Sequence, residues 1–190
     1  NGKTILLNGC YSGHSLMKRE VEFIVHTLNL LNCIWPPIRK TRAIRILNAP
    51  WGLGIGARRI TVSTVGLPVA IERLATFDVP VTLALSLHAP NDELRKQLIP
   101  WAKFASIEDI LKACSRYFDA TGREITLEYL LLGGINDRSA QAKELADLCK
   151  TLRCNVNLIR YNEVAGLDSK RPEQKQVRRF QETLTKGGVN

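Results

Sequence analysis

Val79-Pro-Val-Thr-Leu-Ala-Leu-Ser-Leu-His88 is apolar at almost every position. Near-continuous apolar character marks a strand covered on both faces by helices or by a barrel interior, whereas a half-solvated strand alternates. Working outward, runs rich in β-branched residues at Lys3 to Asn8, Arg59 to Thr64, Glu124 to Leu131 and Asn155 to Arg160 predict four further strands. Between them, apolar residues recur at three- and four-residue spacing over Pro68 to Phe77, Asn91 to Leu98, Ser106 to Ala120, Ser139 to Leu152 and Pro172 to Lys186, which predicts helices. From Arg59 onward strands and helices alternate, the pattern of an α/β fold with a parallel sheet, outer helices and right-handed crossovers.

Local signals agree with this division. Ser106 followed by Asp109 resembles a capping box, Pro172 suits a first helical turn, and Gly187-Gly188 stops the last helix. The first 40 residues differ. They offer one strand, a helix around Leu16 to Leu30, and then the breaker Trp35-Pro36-Pro37, after which Ile38 to Asn48 reads as a basic helix with Ile44 and Leu47 on one side.

The 190-residue chain has 45% apolar residues and a net charge of +9, a composition that excludes a wholly disordered polymer. No stretch approaches the roughly 18 uninterrupted apolar residues of a membrane helix. Five cysteines (Cys10, Cys33, Cys114, Cys149, Cys154) without framework spacing, and a start without a signal-like apolar region, point to a reducing, cytoplasmic setting. The positive charge is concentrated: no Asp or Glu occurs from Phe23 through Ile71, a span that holds Arg39, Lys40, Arg42, Arg45, Arg58 and Arg59. Lys170, Arg171, Arg178 and Arg179 form a later cluster. Such a field favours a polyanion, nucleic acid above all, or is a solvated basic face.

Candidate site residues lie at strand ends, where parallel α/β sheets and barrels hold their ligands. Ser63-Thr64 ends one strand, Ser86-Leu87-His88 the next, Gly133-Gly134-Ile135-Asn136-Asp137 follows the fourth and Tyr161-Asn162 the fifth. Ser63, Ser86, His88 and Asn162 are expected to line one mouth and to bind a small polar ligand, or else to cap helices. Alternation puts Glu124, Thr126 and Glu128 on one face, with Glu128 expected as a ligand contact or as half of an internal ion pair. Gly52-Leu-Gly54-Ile-Gly56 lacks dinucleotide spacing and precedes its strand, so it reads as a flexible entry loop; Gly2-Lys3-Thr4 lacks the upstream glycine of a phosphate loop. No nucleophilic triad involves His14, His26 or His88, and Cys149 and Cys154 have no second pair to complete a metal site.

Several runs together resemble the radical-SAM adenine C2-methyltransferases of 23S ribosomal RNA and transfer RNA. They are Arg42-Ala-Ile-Arg-Ile-Leu-Asn48, Trp51-Gly-Leu-Gly-Ile-Gly56, Arg58-Arg-Ile-Thr-Val-Ser-Thr-Val-Gly66, Leu85-Ser-Leu-His-Ala-Pro-Asn-Asp-Glu93, Glu128-Tyr-Leu-Leu-Leu-Gly-Gly-Ile-Asn-Asp137 and Cys154-Asn-Val-Asn-Leu-Ile-Arg-Tyr-Asn162. The resemblance implies a partial (βα) barrel over residues 42–190, truncated, with residues 1–41 outside the likeness. It implies S-adenosylmethionine held by Ser63, by Ser86, Leu87 and His88, and by Asn162, against a 4Fe-4S cluster. Adenine C2 is not nucleophilic, so the family uses a cysteine-borne methyl group and a 5′-deoxyadenosyl radical, and the cofactor supplies the hard step. Ribosomal RNA or tRNA is the implied partner of a monomer, with the basic residues Arg39 to Arg59 as its contacts.

The sequence departs from that pattern in lacking the family's Cys-x3-Cys-x2-Cys, its Gly-Glu-Pro segment and its methyl-carrying cysteine. A fragment that keeps part of the S-adenosylmethionine pocket without the cluster is the leading expectation. The alternatives are a non-enzymatic basic RNA-binding module and a non-functional remnant.

Overall fold

A computed structural model of the chain describes residues 5–7, 38–163 and 168–189. The expected helix at Leu16 to Leu30, the Trp35-Pro36-Pro37 breaker, Gly2-Lys3-Thr4, His14, His26, Cys10 and Cys33 lie outside the described residues.

The described residues form one sheet of five parallel strands: β1 Ile5–Leu7, β2 Ile60–Thr64, β3 Thr82–Ser86, β4 Ile125–Leu131 and β5 Cys154–Arg160. Their order is β1-β2-β3-β4-β5, so neighbours in sequence are neighbours in space. That order belongs to a barrel-type sheet; a doubly wound sheet would reverse direction partway. The helices are α1 Ile38–Asn48, α2 Pro68–Ala75, α3 Asp92–Leu98, α4 Ile107–Thr121, α5 Ser139–Cys149 and α6 Gln174–Lys186. α1 runs across the expected division between residues 41 and 42, and β1, from before it, pairs with β2 through Ile5 and Ile60.

Side-chain alternation splits the sheet into two unlike faces. Leu83, Leu85 and Leu87, with Ile125, Leu127, Tyr129 and Leu131, are sealed against Ile71 of α2, Ile110 of α4, Leu145 of α5 and Phe180 of α6. Ile44 and Leu47 of α1 pack on Ile60, Val79 and Val81, as the basic-helix reading requires. The opposite face is polar. Register aligns Ser86 with Glu128 and Glu128 with Asn157, and aligns Ala84 with Thr126 and Thr126 with Asn155. The apolar run that begins at Val79 therefore serves one layer of helices on one side and a polar face on the other.

Two expectations are corrected for identifiable reasons. Pro172 precedes α6, because its carbonyl is occupied by the Arg160 guanidinium at 2.9 and 3.2 Å and the first helical acceptor is the carbonyl of Glu173. The glycine loop after α1 is a folded turn instead of a flexible one. The N–H groups of Gly52 and Gly54 both donate to Ala49, Leu53 donates to Ile46 and Ile55 to Leu47, while the Asn48 amide donates to the Ile55 carbonyl. Four of its N–H groups are thus spent internally and do not converge on an anion.

Candidate ligand site at the strand ends

Ser63 comes from the end of β2, Ser86 from the end of β3 and Glu128 from the middle of β4, and the register brings them together. Ser63 Oγ donates to Glu128 Oε2 at 3.1 Å, Ser86 Oγ donates to the same oxygen at 3.2 Å, and the two hydroxyls lie 3.3 Å apart. Glu128 is only 4% exposed. Its partners correct the ion-pair alternative: among the described residues no cation lies within ion-pair distance, and hydroxyls hold the carboxylate instead.

His88 stands two residues past Ser86 with φ 58, the left-handed conformation that non-glycine residues seldom adopt. Three bonds hold it there. Its N–H donates to the Glu128 carbonyl, the Leu130 N–H donates to its Nδ1 at 3.1 Å, and the Asn136 amide donates to its carbonyl at 2.8 Å. Burial, with the Arg95 charge second, lowers the His88 pKa to about 4 against the opposing pull of the Glu128 carbonyl. The ring is therefore neutral at pH 7, and with Nδ1 accepting, Nε2–H is its remaining donor.

Leu87 contributes no side chain to this face. It is fully buried in the helix-facing core, its N–H donates to Glu128 and its carbonyl accepts from Arg95. Asn162 follows β5 and is exposed; no hydrogen bond joins it to Ser63, Ser86 or His88 among the described residues. The structure thus brings three of the four expected mouth residues to the adjoining ends of β2, β3 and β4, and leaves Asn162 at the neighbouring strand end.

Two further residues organise this rim: Arg95, which was not singled out from the sequence, and Asn136, which was named within the strand-end run 133–137 but given no role of its own. Arg95 of α3 is 1% exposed and faces carbonyls alone: Nη2 donates to Val65 at 2.5 Å and to Ser86 at 3.5 Å, and Nε donates to Leu87 at 3.2 Å. Asn136, fully buried, donates to the carbonyls of His88 and Leu130 and accepts from the Leu132 N–H at 2.7 Å. Its own carbonyl accepts from the Tyr129 hydroxyl. Gly133 sits where a Cβ would stand 3.0 Å from the Arg171 carbonyl, which explains the glycine in that loop.

The described cysteines do not fit an iron–sulfur cluster. Cys114 and Cys149 are buried in the helix-facing core. Burial pushes the Cys114 thiol up to about 12, and Cys149, hydrogen-bonded to Cys154, is also pushed up. A cluster ligand must be a thiolate. Among the described residues no group of three His, Cys, Asp or Glu side chains is placed to hold a metal ion.

Of the expected RNA contacts, Arg42, Arg58 and Arg59 are exposed, the last two on a 3-10 turn at Ala57–Arg59. Arg39 and Lys40 lie on α1. Arg45 is partly committed, pairing with Asp78 at 3.1 Å and lying 5.5 Å from the Phe77 ring centre. No helix among the described residues is long and apolar enough to cross a membrane.

No family model matches the chain. It is 48% identical over 148 residues to a probable dual-specificity RNA methyltransferase RlmN of Rhodopirellula baltica, a match covering 78% of this chain and 40% of that protein. It is also 48% identical over 149 residues to the ribosomal RNA large subunit methyltransferase N of Nitrosopumilus maritimus, covering 78% and 42%. Among solved structures, a radical SAM methyltransferase from Sphaerobacter thermophilus superposes with a TM-score of 0.76 at 45% identity, over 79% of this chain and 44% of that one. The chain thus spans about 40% of the length of the curated relatives it matches.

Proposed function

Because this chain belongs, over most of its length, to the radical-SAM RNA methyltransferase family, we propose that its polar strand ends are the S-adenosylmethionine-holding part of such an enzyme. When bound, that group supplies the methyl and radical chemistry of the family. This chain's own residues would hold and orient it. Ser63 and Ser86 would offer hydroxyl oxygens, His88 a neutral Nε2–H donor, Leu87 its backbone position between them, and Asn162 an amide from the next strand end.

The observation that carries the reading is the convergence of Ser63, Ser86 and Glu128 within 3.3 Å, from three separate strands, on the face that no described helix packs against. A core built for stability alone would fill that position with apolar side chains, since buried hydroxyls and carboxylates have to be compensated. The reaction proposed for the whole protein is methylation of adenine C2 in ribosomal RNA or tRNA, in the cytoplasm, with Arg39, Lys40, Arg42, Arg58 and Arg59 meeting phosphates. Arg45 would join them only by sharing its guanidinium with Asp78. The described cysteines offer no cluster site, so no step of that chemistry is assigned to them.

Isothermal titration of the chain with S-adenosylmethionine tests the reading. Saturable binding is expected, and Asn162→Ala should weaken it about tenfold, the worth of one good hydrogen bond to a charged ligand. An unchanged isotherm removes Asn162 from the site, and no heat from the unaltered chain removes the site itself.

A further inference from the structure

We infer that Glu128 is the specificity-determining residue of this face, selecting a positively charged ligand over its neutral counterpart; the inference rests on the proposed S-adenosylmethionine site and adds to it a residue and a role. The geometry is the starting point. Ser63 Oγ, Ser86 Oγ and Glu128 Oε2 make three mutual contacts at 3.1, 3.2 and 3.3 Å, and only two protons are available to fill them. Both hydroxyls donate to Glu128 Oε2.

Among the described residues the second carboxylate oxygen, Oε1, accepts no hydrogen bond, and it is not sealed away, since the buried polar side-chain atom without a partner there is the Tyr161 hydroxyl. Glu128 is thus a negatively charged acceptor at the rim, held by two serine hydroxyls. It matches a ligand that is cationic and brings its own donors.

The rest of the molecule makes that charge necessary. The chain carries a net charge of +9, and the buried guanidinium of Arg95 reaches the carbonyls of Ser86 and Leu87 at the same strand ends. Both oppose a cation. His88 is held neutral and offers no compensation. S-adenosylmethionine and S-adenosylhomocysteine share adenine, ribose and amino-acid groups and differ in one methyl and one positive charge, so shape and hydrogen bonding discriminate weakly between them. A carboxylate in a poorly solvated site discriminates well.

Titrating the unaltered chain and Glu128→Gln with S-adenosylmethionine and with S-adenosylhomocysteine tests the inference. Gln keeps an oxygen for the two serine hydroxyls and removes the charge. The expected result is an S-adenosylmethionine affinity lowered about tenfold with S-adenosylhomocysteine affinity changed less than about threefold. Equal loss for both ligands, or no loss, overturns the inference and leaves the site standing; an unaltered chain that binds neither ligand overturns both. Should Glu128→Gln fail to melt cooperatively, Glu128→Asp, which keeps the charge, takes its place. Its preference for S-adenosylmethionine must survive, and its disappearance contradicts the assignment.

Discussion

At the scale of single residues, His88 shows how position converts into chemistry. It occupies a left-handed backbone conformation and is fixed by Leu130, Glu128 and Asn136, and burial depresses its pKa from 6.5 to about 4. A histidine whose folded pKa lies below its unfolded value contributes stability that is complete above pH 6.5 and is lost as pH falls toward 4. The shift corresponds to up to about 3 kcal/mol, so melting temperature should fall between pH 6.5 and 5, ahead of most carboxylate titration. Melts at several pH values should show this slope in the unaltered chain and a shallower one in His88→Gln. Ser63, Ser86 and His88 were legible in the sequence because polar residues ending apolar strands have few other places to point. Asn136 was named only as part of the run after the fourth strand, and Arg95 was not read at all. An arginine within a charged seven-residue helix looks like any solvated arginine, and nothing local says that its guanidinium reaches back to Val65, Ser86 and Leu87. Glu128 was found on the correct face, but its partners are hydroxyls supplied by other strands, which one strand's alternation cannot reveal.

At the scale of elements, the rim is made by helices reaching back over the strands that precede them. α3 follows β3 and returns Arg95 to the carbonyls at the ends of both β2 and β3. Asn91 caps α3 by accepting from the Leu94 N–H, and Asp92 accepts from the Ile107 N–H at the start of α4, so the two helices are tied head to head. Replacing Arg95 with Met keeps bulk and leaves the Val65 and Leu87 carbonyls unpaired. Arg95→Met should cost about 3 kcal/mol or more in chemical denaturation, the penalty of orphaning buried acceptors. A loss under about 0.5 kcal/mol would show that the arginine is not what joins these ends. The strands and α-helices of the described chain were readable, but the 3-10 turns at Ala57–Arg59 and Pro100–Phe104 were not. α1 occupies Ile38–Asn48 as expected, because Ile44 and Leu47 at helical spacing need only one apolar partner layer. The start of α6 was misplaced, because the Pro172 carbonyl is claimed by Arg160 from β5, a contact between residues 12 apart in sequence. The glycine loop after α1 looked flexible in sequence and is ordered by Asn48 and by carbonyls of the preceding helix.

At the scale of the whole molecule, one property separates the two halves of the proposal. The positive field acts on any polyanion, while the strand-end site acts on one small ligand. If Arg39, Lys40, Arg42, Arg58 and Arg59 meet phosphates, RNA affinity should fall steeply with salt, with a log–log slope of about −3 to −4 for single-stranded RNA. S-adenosylmethionine affinity should hardly change over the same range. A flat RNA titration would assign the basic span to solvation. The contrast between the apolar helix-facing side and the Ser63, Ser86, Glu128 side supports the proposed binding role of the second face, where Ser63 and Glu128 are 2% and 4% exposed. The most direct measurement is a titration of isotope-labelled chain with S-adenosylmethionine, followed by amide chemical shifts. The account predicts perturbations concentrated at residues 63–66, 86–88, 128–130 and 161–163. Saturable shifts centred instead on the helix-facing core or on α6, or no shifts at millimolar ligand, would contradict it.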